Sequence, residues 1–152
     1  MLIYGEYNPI EGPKEVRILG GILPLAPTLA YTKSAASKFT WGYGGTGPRQ
    51  LAFAILLHFL GGETAQIYHS AFEHDVLMHT DYHNHLFLDS EDVKTYIEFK
   101  KAQKSKWGRI YWNNYASRRR FSSSFYFKFI MPLEFGRREP AEPRDPDDIW
   151  WW

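Results

Sequence analysis

Trp41-Gly42-Tyr43-Gly44-Gly45-Thr46-Gly47-Pro48-Arg49-Gln50 runs directly into Leu51-Ala52-Phe53-Ala54-Ile55-Leu56-Leu57-His58-Phe59-Leu60 and stops at Gly61-Gly62. The glycines at 42, 44, 45 and 47 open backbone conformations that other residues avoid, so they suit a tight turn. Thr46 or Gly47 fits a helix N-cap, with Pro48 in the first turn, where a missing N–H leaves nothing unsatisfied. From 51 to 60 the residues are apolar on nearly every face, which requires packing on several sides. His58 is expected inside that packing with one satisfied hydrogen bond. The glycine pair then ends the helix. Residues 41–62 therefore read as a glycine-rich turn feeding a short buried helix at the centre of one domain.

Toward the N-terminus, residues 1–7 and 16–19 have strand composition and are separated by a turn cluster of Asn8, Pro9, Gly12 and Pro13. Residues 20–38, with Pro24 and Pro27, suit an irregular crossing with one short strand around 23–25, and residues 39–43 alternate as a brief strand would. Toward the C-terminus, residues 63–79 place Ala65, Tyr68, Phe72 and Val76 on one helical stripe, with Glu63, Gln66, Glu73 and Asp75 among the polar positions. Residues 86–88 read as a strand. Asp89 or Ser90 caps a third helix with acids in its first turn and lysines in its last, ending near Gly108. Residues 109–115 and 124–133, rich in Tyr, Trp, Phe and Ile, alternate in part and predict a hairpin. The expected fold class is α+β: a small helical core of about three helices packed against short antiparallel strands, closed by a C-terminal aromatic hairpin. Residues 1–138 would form this single domain, and 139–152 an acidic, proline-rich tail ending in Trp150, Trp151 and Trp152.

At 152 residues the chain is long enough to bury a core without disulfides, and it contains no cysteine. Thiol nucleophiles and zinc-thiolate sites are thereby excluded. The apolar run at 51–60 is shorter than the roughly 20 residues of a bilayer span, and the first residues lack a signal-peptide pattern. The expectation is a soluble, cytoplasmic protein with no membrane partner. A net charge of +1 conceals segregation: Lys/Arg stand against Asp/Glu as 5 to 10 over residues 1–93, 12 to 2 over 94–138, and 1 to 5 over 139–152.

Two phosphate-binding patterns can be traced over the glycine-rich turn. Gly42, Gly44 and Gly47 satisfy G-x-G-x-x-G, and Gly42 with Gly47 supplies the glycines of a P-loop, but Pro48-Arg49 stands where Lys and a hydroxyl are needed. The dinucleotide pattern lacks the second parallel strand with its acidic ribose ligand. What survives is a helix N-terminus with unpaired N–H groups, so Gly44, Gly45, Thr46, Gly47 and Arg49 are candidates for binding an anion. The competing reading is that the glycines let Trp41 and Tyr43 pack closely over the helix. The stretch Phe39-Thr40-Trp41-Gly42-Tyr43-Gly44-Gly45-Thr46-Gly47-Pro48-Arg49-Gln50-Leu51-Ala52, with Ala65 and Phe72 spaced beyond it, resembles domain-of-unknown-function family 6166 over about residues 39–99. That resemblance implies an origin in bacterial, plasmid or phage genomes and brings no activity or catalytic residues.

All six histidines fall between 58 and 85. His79, Asp81, His83 and His85 would share one face of an extended segment and form a weak candidate metal set, although Asp81-Tyr82-His83-Asn84 reads more naturally as a turn. No nucleophile accompanies them, so neither an enzyme nor a cofactor is expected. The stronger functional signal is the basic aromatic segment: Lys104, Lys106, Arg109, Trp112, Tyr115, Arg118, Arg119 and Arg120 combine phosphate-neutralising charge with rings that can stack on unpaired bases. The leading expectation is a nonenzymatic phage or mobile-element protein that engages nucleic acid or a host nucleoprotein complex, with inhibition of a defence system as its role. The alternatives are an anion or nucleotide pocket at the glycine-rich turn, and a structural or virion component that self-associates through the tail, Trp150 to Trp152 serving as interface anchors.

Overall fold

The computed structural model describes residues 1–19, 21–31, 36–104, 120–136 and 138. Strand β1 (Leu2–Asn8) pairs antiparallel with β2 (Gly12–Ile18), and the turn between them is held by Asn8, whose Oδ1 accepts from the backbone N–H of Ile10 and Glu11. A two-residue β3 (Gly21–Ile22) continues from β2, and β4 (Leu86–Asp89) pairs antiparallel with β1, giving the order β3-β2-β1-β4. The short strand thus falls at 21–22, earlier than the expected 23–25. Leu23 still donates its N–H to Val16, and Pro24, with no N–H, ends the pairing. One face of the sheet buries Ile3, Val16, Leu86 and Leu88.

Helix α1 (Thr46–Leu60) buries every residue from Leu51 to Leu56, as its all-round apolar surface requires. His58 lies beyond that buried run and is exposed, with its ring against Phe59, contrary to the expected core position. Gly61 (φ 92°) closes α1 through its N–H on the Leu57 carbonyl and opens α2 (Gly62–Asp75) by accepting from Ala65. A single-residue reversal of this kind favours glycine, because a left-handed φ costs a side-chain-bearing residue. A 3-10 turn (Leu77–His79) ends the second helical stretch, so the predicted 63–79 helix is two pieces. Helix α3 (Ser90–Ala102) is capped by the Asp89 side chain on the Glu91 N–H and ends before Gly108. Residues 39–43 form no strand; they carry Trp41 across the core.

The largest departure lies at the C-terminus. Residues 123–134 are helical, not a hairpin strand: an α turn at Ser123–Phe125, a π-helical turn at Tyr126–Ile130 and an α turn at Met131–Glu134, here called α4. The partner half of the expected hairpin, 109–115, lies outside the described residues. Phe125, Phe127 and Phe129 alternate as a strand would, yet Phe121, Phe125, Phe129 and Leu133 recur every four residues, and these are buried, together with Ile130. Phe127 is left exposed. Burial of the four-residue stripe against the core decides between two periods that the same residues satisfy. The architecture is α+β, with the four-stranded sheet and the helices sharing one apolar cluster. Among the described residues no helix is long and apolar enough to cross a membrane.

Candidate functional site

The glycine-rich turn is built by close approach. Gly42 (φ 87°) donates its N–H to the Leu77 carbonyl, and a Cβ on it would stand 2.7 Å from Tyr82 Cα. On Gly47 a Cβ would overlap Thr40 Oγ1, and on Gly5 of β1 it would meet the Trp41 ring at 2.7 Å. The Trp41 indole N–H donates to the Asn84 carbonyl, so one tryptophan ties β1, the turn and the loop before β4 together. These are the packing uses of glycine that compete with anion binding.

The helix terminus does hold an anion, and it is the protein's own. Glu73 of α2, although expected among the polar positions, is buried; its Oε2 accepts from the Gly45 N–H at 3.1 Å and its Oε1 from Arg49 Nε at 3.4 Å. The carboxylate sits at the positive end of α1 and beside a guanidinium, so of the five candidates Gly45 and Arg49 are engaged from within. Gly44 and Thr46 remain exposed, and Gly47 is buried.

The histidine set is dispersed. Among the described residues no group of three or more His, Asp or Glu side chains gathers as metal ligands would. His79 is partly buried, and burial, reinforced by Arg138 and His74, lowers its pKa. Asp81 bonds Lys128 Nζ, and His85 Nδ1 accepts from the Tyr7 N–H. His83 adopts a left-handed φ of 58° and places its ring between those of Tyr7 and Tyr82. The turn reading of residues 81–84 is the one the backbone adopts, and the extended geometry that would align the four is absent.

Of the basic segment, Lys106, Arg109, Trp112, Tyr115, Arg118 and Arg119 lie outside the described residues, as do Trp150, Trp151 and Trp152. Lys104, two residues beyond the end of α3, is exposed with Nζ 5.7 Å from the Tyr68 ring centre. Arg120 pairs with Glu98, Lys128 with Asp81 and Lys94 with Glu91. The segment is pinned to the core at two further points. Asp92 accepts from both the N–H and the hydroxyl of Ser122, at 2.7 and 2.6 Å, and Arg138 donates to the carbonyls of Asp75 and Phe129. Pro132 cannot supply the N–H that would bond the Lys128 carbonyl four residues back, and Arg138 reaches that oxygen as well.

Where the end of α2 meets α3 lies a polar centre that the sequence reading passed over. Asp75, fully buried, sits 3.0 Å from Lys100 Nζ, which is 4% exposed, and accepts from the Tyr96 hydroxyl at 2.8 Å. Burial first, and the Asp75 charge second, push the Tyr96 phenol well above its ordinary pKa. The signal was present: Val93, Tyr96 and Lys100 fall three and four apart, as do Tyr68, Phe72 and Asp75, so each charge occupies an apolar-stripe position.

The model of a family of unknown function, DUF6166, fits residues 8–99, extending toward the N-terminus beyond the 39–99 stretch carried by the motif. No curated protein and no solved structure matches the chain.

Proposed function

Since the chain belongs to DUF6166, whose match ends at residue 99, we propose that the family core is a platform for the basic segment and that the protein is a nonenzymatic nucleic-acid-binding protein of a phage or other mobile element. A host nucleoprotein complex is the corresponding target, and interference with host defence the corresponding role. The observation that carries this reading is the charge left over once the internal pairs are counted. Residues 94–138 hold 12 Lys/Arg. In the described residues Glu91, Asp75, Glu98 and Asp81 neutralise Lys94, Lys100, Arg120 and Lys128. Lys101 and Lys104 stay exposed, and neither has a carboxylate partner among the described residues. A surplus of cations on one segment is what counterion release from a phosphate backbone rewards.

The test is fluorescence anisotropy with single- and double-stranded oligonucleotides across a salt series. Log affinity should fall linearly with log salt, by roughly 0.7 to 0.9 per phosphate contacted. The quadruple variant K101A/K104A/R118A/R119A should bind more weakly and with a shallower slope; Arg120 is spared because it pairs with Glu98. Absence of binding at low salt, or equal binding by the folded variant, overturns the reading.

A further inference from the structure

We propose that the aromatic pocket between the glycine-rich turn and the loop before β4 binds a nucleobase. Its walls come from three parts of the chain: Tyr7 near the end of β1, Thr40, Trp41 and Tyr43 at the turn, and Tyr82 and His83 in the loop. Tyr7 apart, this lining falls within the residues 8–99 that the family model matches, so the pocket belongs to the family core and not to the basic segment.

The backbone explains why the rings gather. Gly42 lets the Tyr82 backbone approach to a distance that no Cβ would tolerate, which sets Tyr82 against Tyr43 with ring centres 5.8 Å apart and planes at 77°. Tyr43 is fixed by its hydroxyl, which donates to Thr40 Oγ1 at 2.7 Å. His83 holds a left-handed conformation, unfavourable for a residue with a Cβ, and its ring lies 3.7 Å from that of Tyr82 and 5.5 Å from that of Tyr7. The fold thus positions these walls before any ligand arrives.

The volume is about 270 Å³, below the roughly 300–1,000 Å³ of pockets for drug-sized molecules, and suits a single small ring system. Tyr43 is 41% and Tyr82 61% exposed, so ring surface stays open to a guest. Their planes are nearly perpendicular, and a flat guest lying on one ring therefore presents its edge to the other.

Three features select a nucleobase among such guests. Among the described residues no Asp, Glu, Lys or Arg side chain lines the pocket, so the part inserted is uncharged. The hydroxyls of Tyr7 and Tyr82 and the ring nitrogens of His83 make no hydrogen bond among the described residues. They offer donors and acceptors to a polar edge, which a base has and a hydrocarbon or proline ring lacks. At the rim, exposed Lys38 places Nζ 3.7 Å from where a Cβ on Gly12 would stand and donates to the Glu11 carbonyl, while the Glu11 carboxylate is taken by Lys14. A rim ammonium meets the phosphate of a nucleotide and repels the cationic guests that aromatic cages hold. Stacking on an aromatic face is open to every base, so the chemistry fixes the class and not the base. The inference stands without the nucleic-acid reading, since a free nucleotide carries the same ring.

The experiment follows backbone amide shifts of the folded full-length protein by nuclear magnetic resonance at low salt. The probes are adenosine and uridine monophosphates, a single-stranded oligonucleotide, and ribose phosphate as the control without a base. The expected result is shifts centred on Thr40, Tyr43, Tyr82 and His83 with the base-bearing probes and none there with ribose phosphate. Saturation by the monophosphates assigns a free nucleotide as the source of the base; saturation by the strand alone assigns an unpaired base within a strand. Tyr82→Leu should weaken binding roughly 5- to 150-fold, the loss of one base–ring stack, without changing the salt slope of strand binding. The variant K101A/K104A/R118A/R119A should change that slope and leave the pocket shifts in place, so the two readings can fail separately. If Tyr82→Leu does not fold, the parent's shifts and the ribose phosphate control decide alone. Absence of pocket shifts with every base-bearing probe, equal shifts with ribose phosphate, full binding by folded Tyr82→Leu, or pocket shifts with tetramethylammonium or a proline peptide and not with nucleotides would each overturn the proposal.

Discussion

Replacing Lys100 by Met removes the ammonium group from the buried centre while keeping most of the side-chain volume. Asp75 is fully buried and lies 3.0 Å from Lys100 Nζ. With the ammonium gone, its carboxylate loses the opposite charge that offsets its desolvation. Breaking such a pair from one side costs about 3–5 kcal/mol. A domain of this kind is stable by roughly 5–15 kcal/mol, so the loss takes from about a fifth of the total to all of it. At about 2–4 °C per kcal/mol for chains of this size, the midpoint should fall by roughly 6–20 °C. Urea unfolding followed by far-ultraviolet circular dichroism measures the first quantity, and thermal scans the second. Lys101→Met is the control: it is the next residue of α3, exposed, and should stay within about 0.5 kcal/mol of the parent. Asp75→Asn combined with Lys100→Met should lose less than the two single losses added, because each single change already breaks the same pair. A loss below about 1 kcal/mol for Lys100→Met, or strict additivity of the two changes, would refute the assignment of this pair as a coupled buried unit.

Two further outcomes follow from the same geometry. Gly42→Ala, which forces a Cβ into a left-handed residue 2.7 Å from the Tyr82 backbone, should cost more than about 2 kcal/mol, whereas Gly44→Ala, which meets only the flexible end of Met78, should cost under about 1; equal costs in chemical denaturation would show that the turn yields freely. Because Tyr96 is held protonated above its ordinary pKa in the folded chain, its contribution to stability is complete below about pH 10 and is lost as pH rises above that value. Tyr96→Phe should flatten the alkaline fall in unfolding free energy, and parallel curves for parent and variant would contradict this.

The fold's local decisions were legible in the residues themselves. A glycine pair must end a helix, Leu51 to Leu56 cannot be exposed on any face, and Asp89 ahead of Glu91 is a ready cap, so α1, the break at 61–62 and the start of α3 were all readable. The first hairpin was readable because Asn8 and Gly12 supply its turn. What the sequence left open was decided by long-range contact. Residues 121–133 satisfy a period of two and a period of four at once, and only the core against which they pack selects the helix. Glu73 looked solvent-facing until α1 brought the Gly45 N–H and Arg49 to it, 28 and 24 residues away in the chain. Asp75 and Lys100 are separately charges on amphipathic helices; they become a buried pair only when the end of α2 meets α3. Strand order is likewise not encoded locally, because β1 pairs with β4 across the whole of α1 and α2, and only the packed core brings those two segments together.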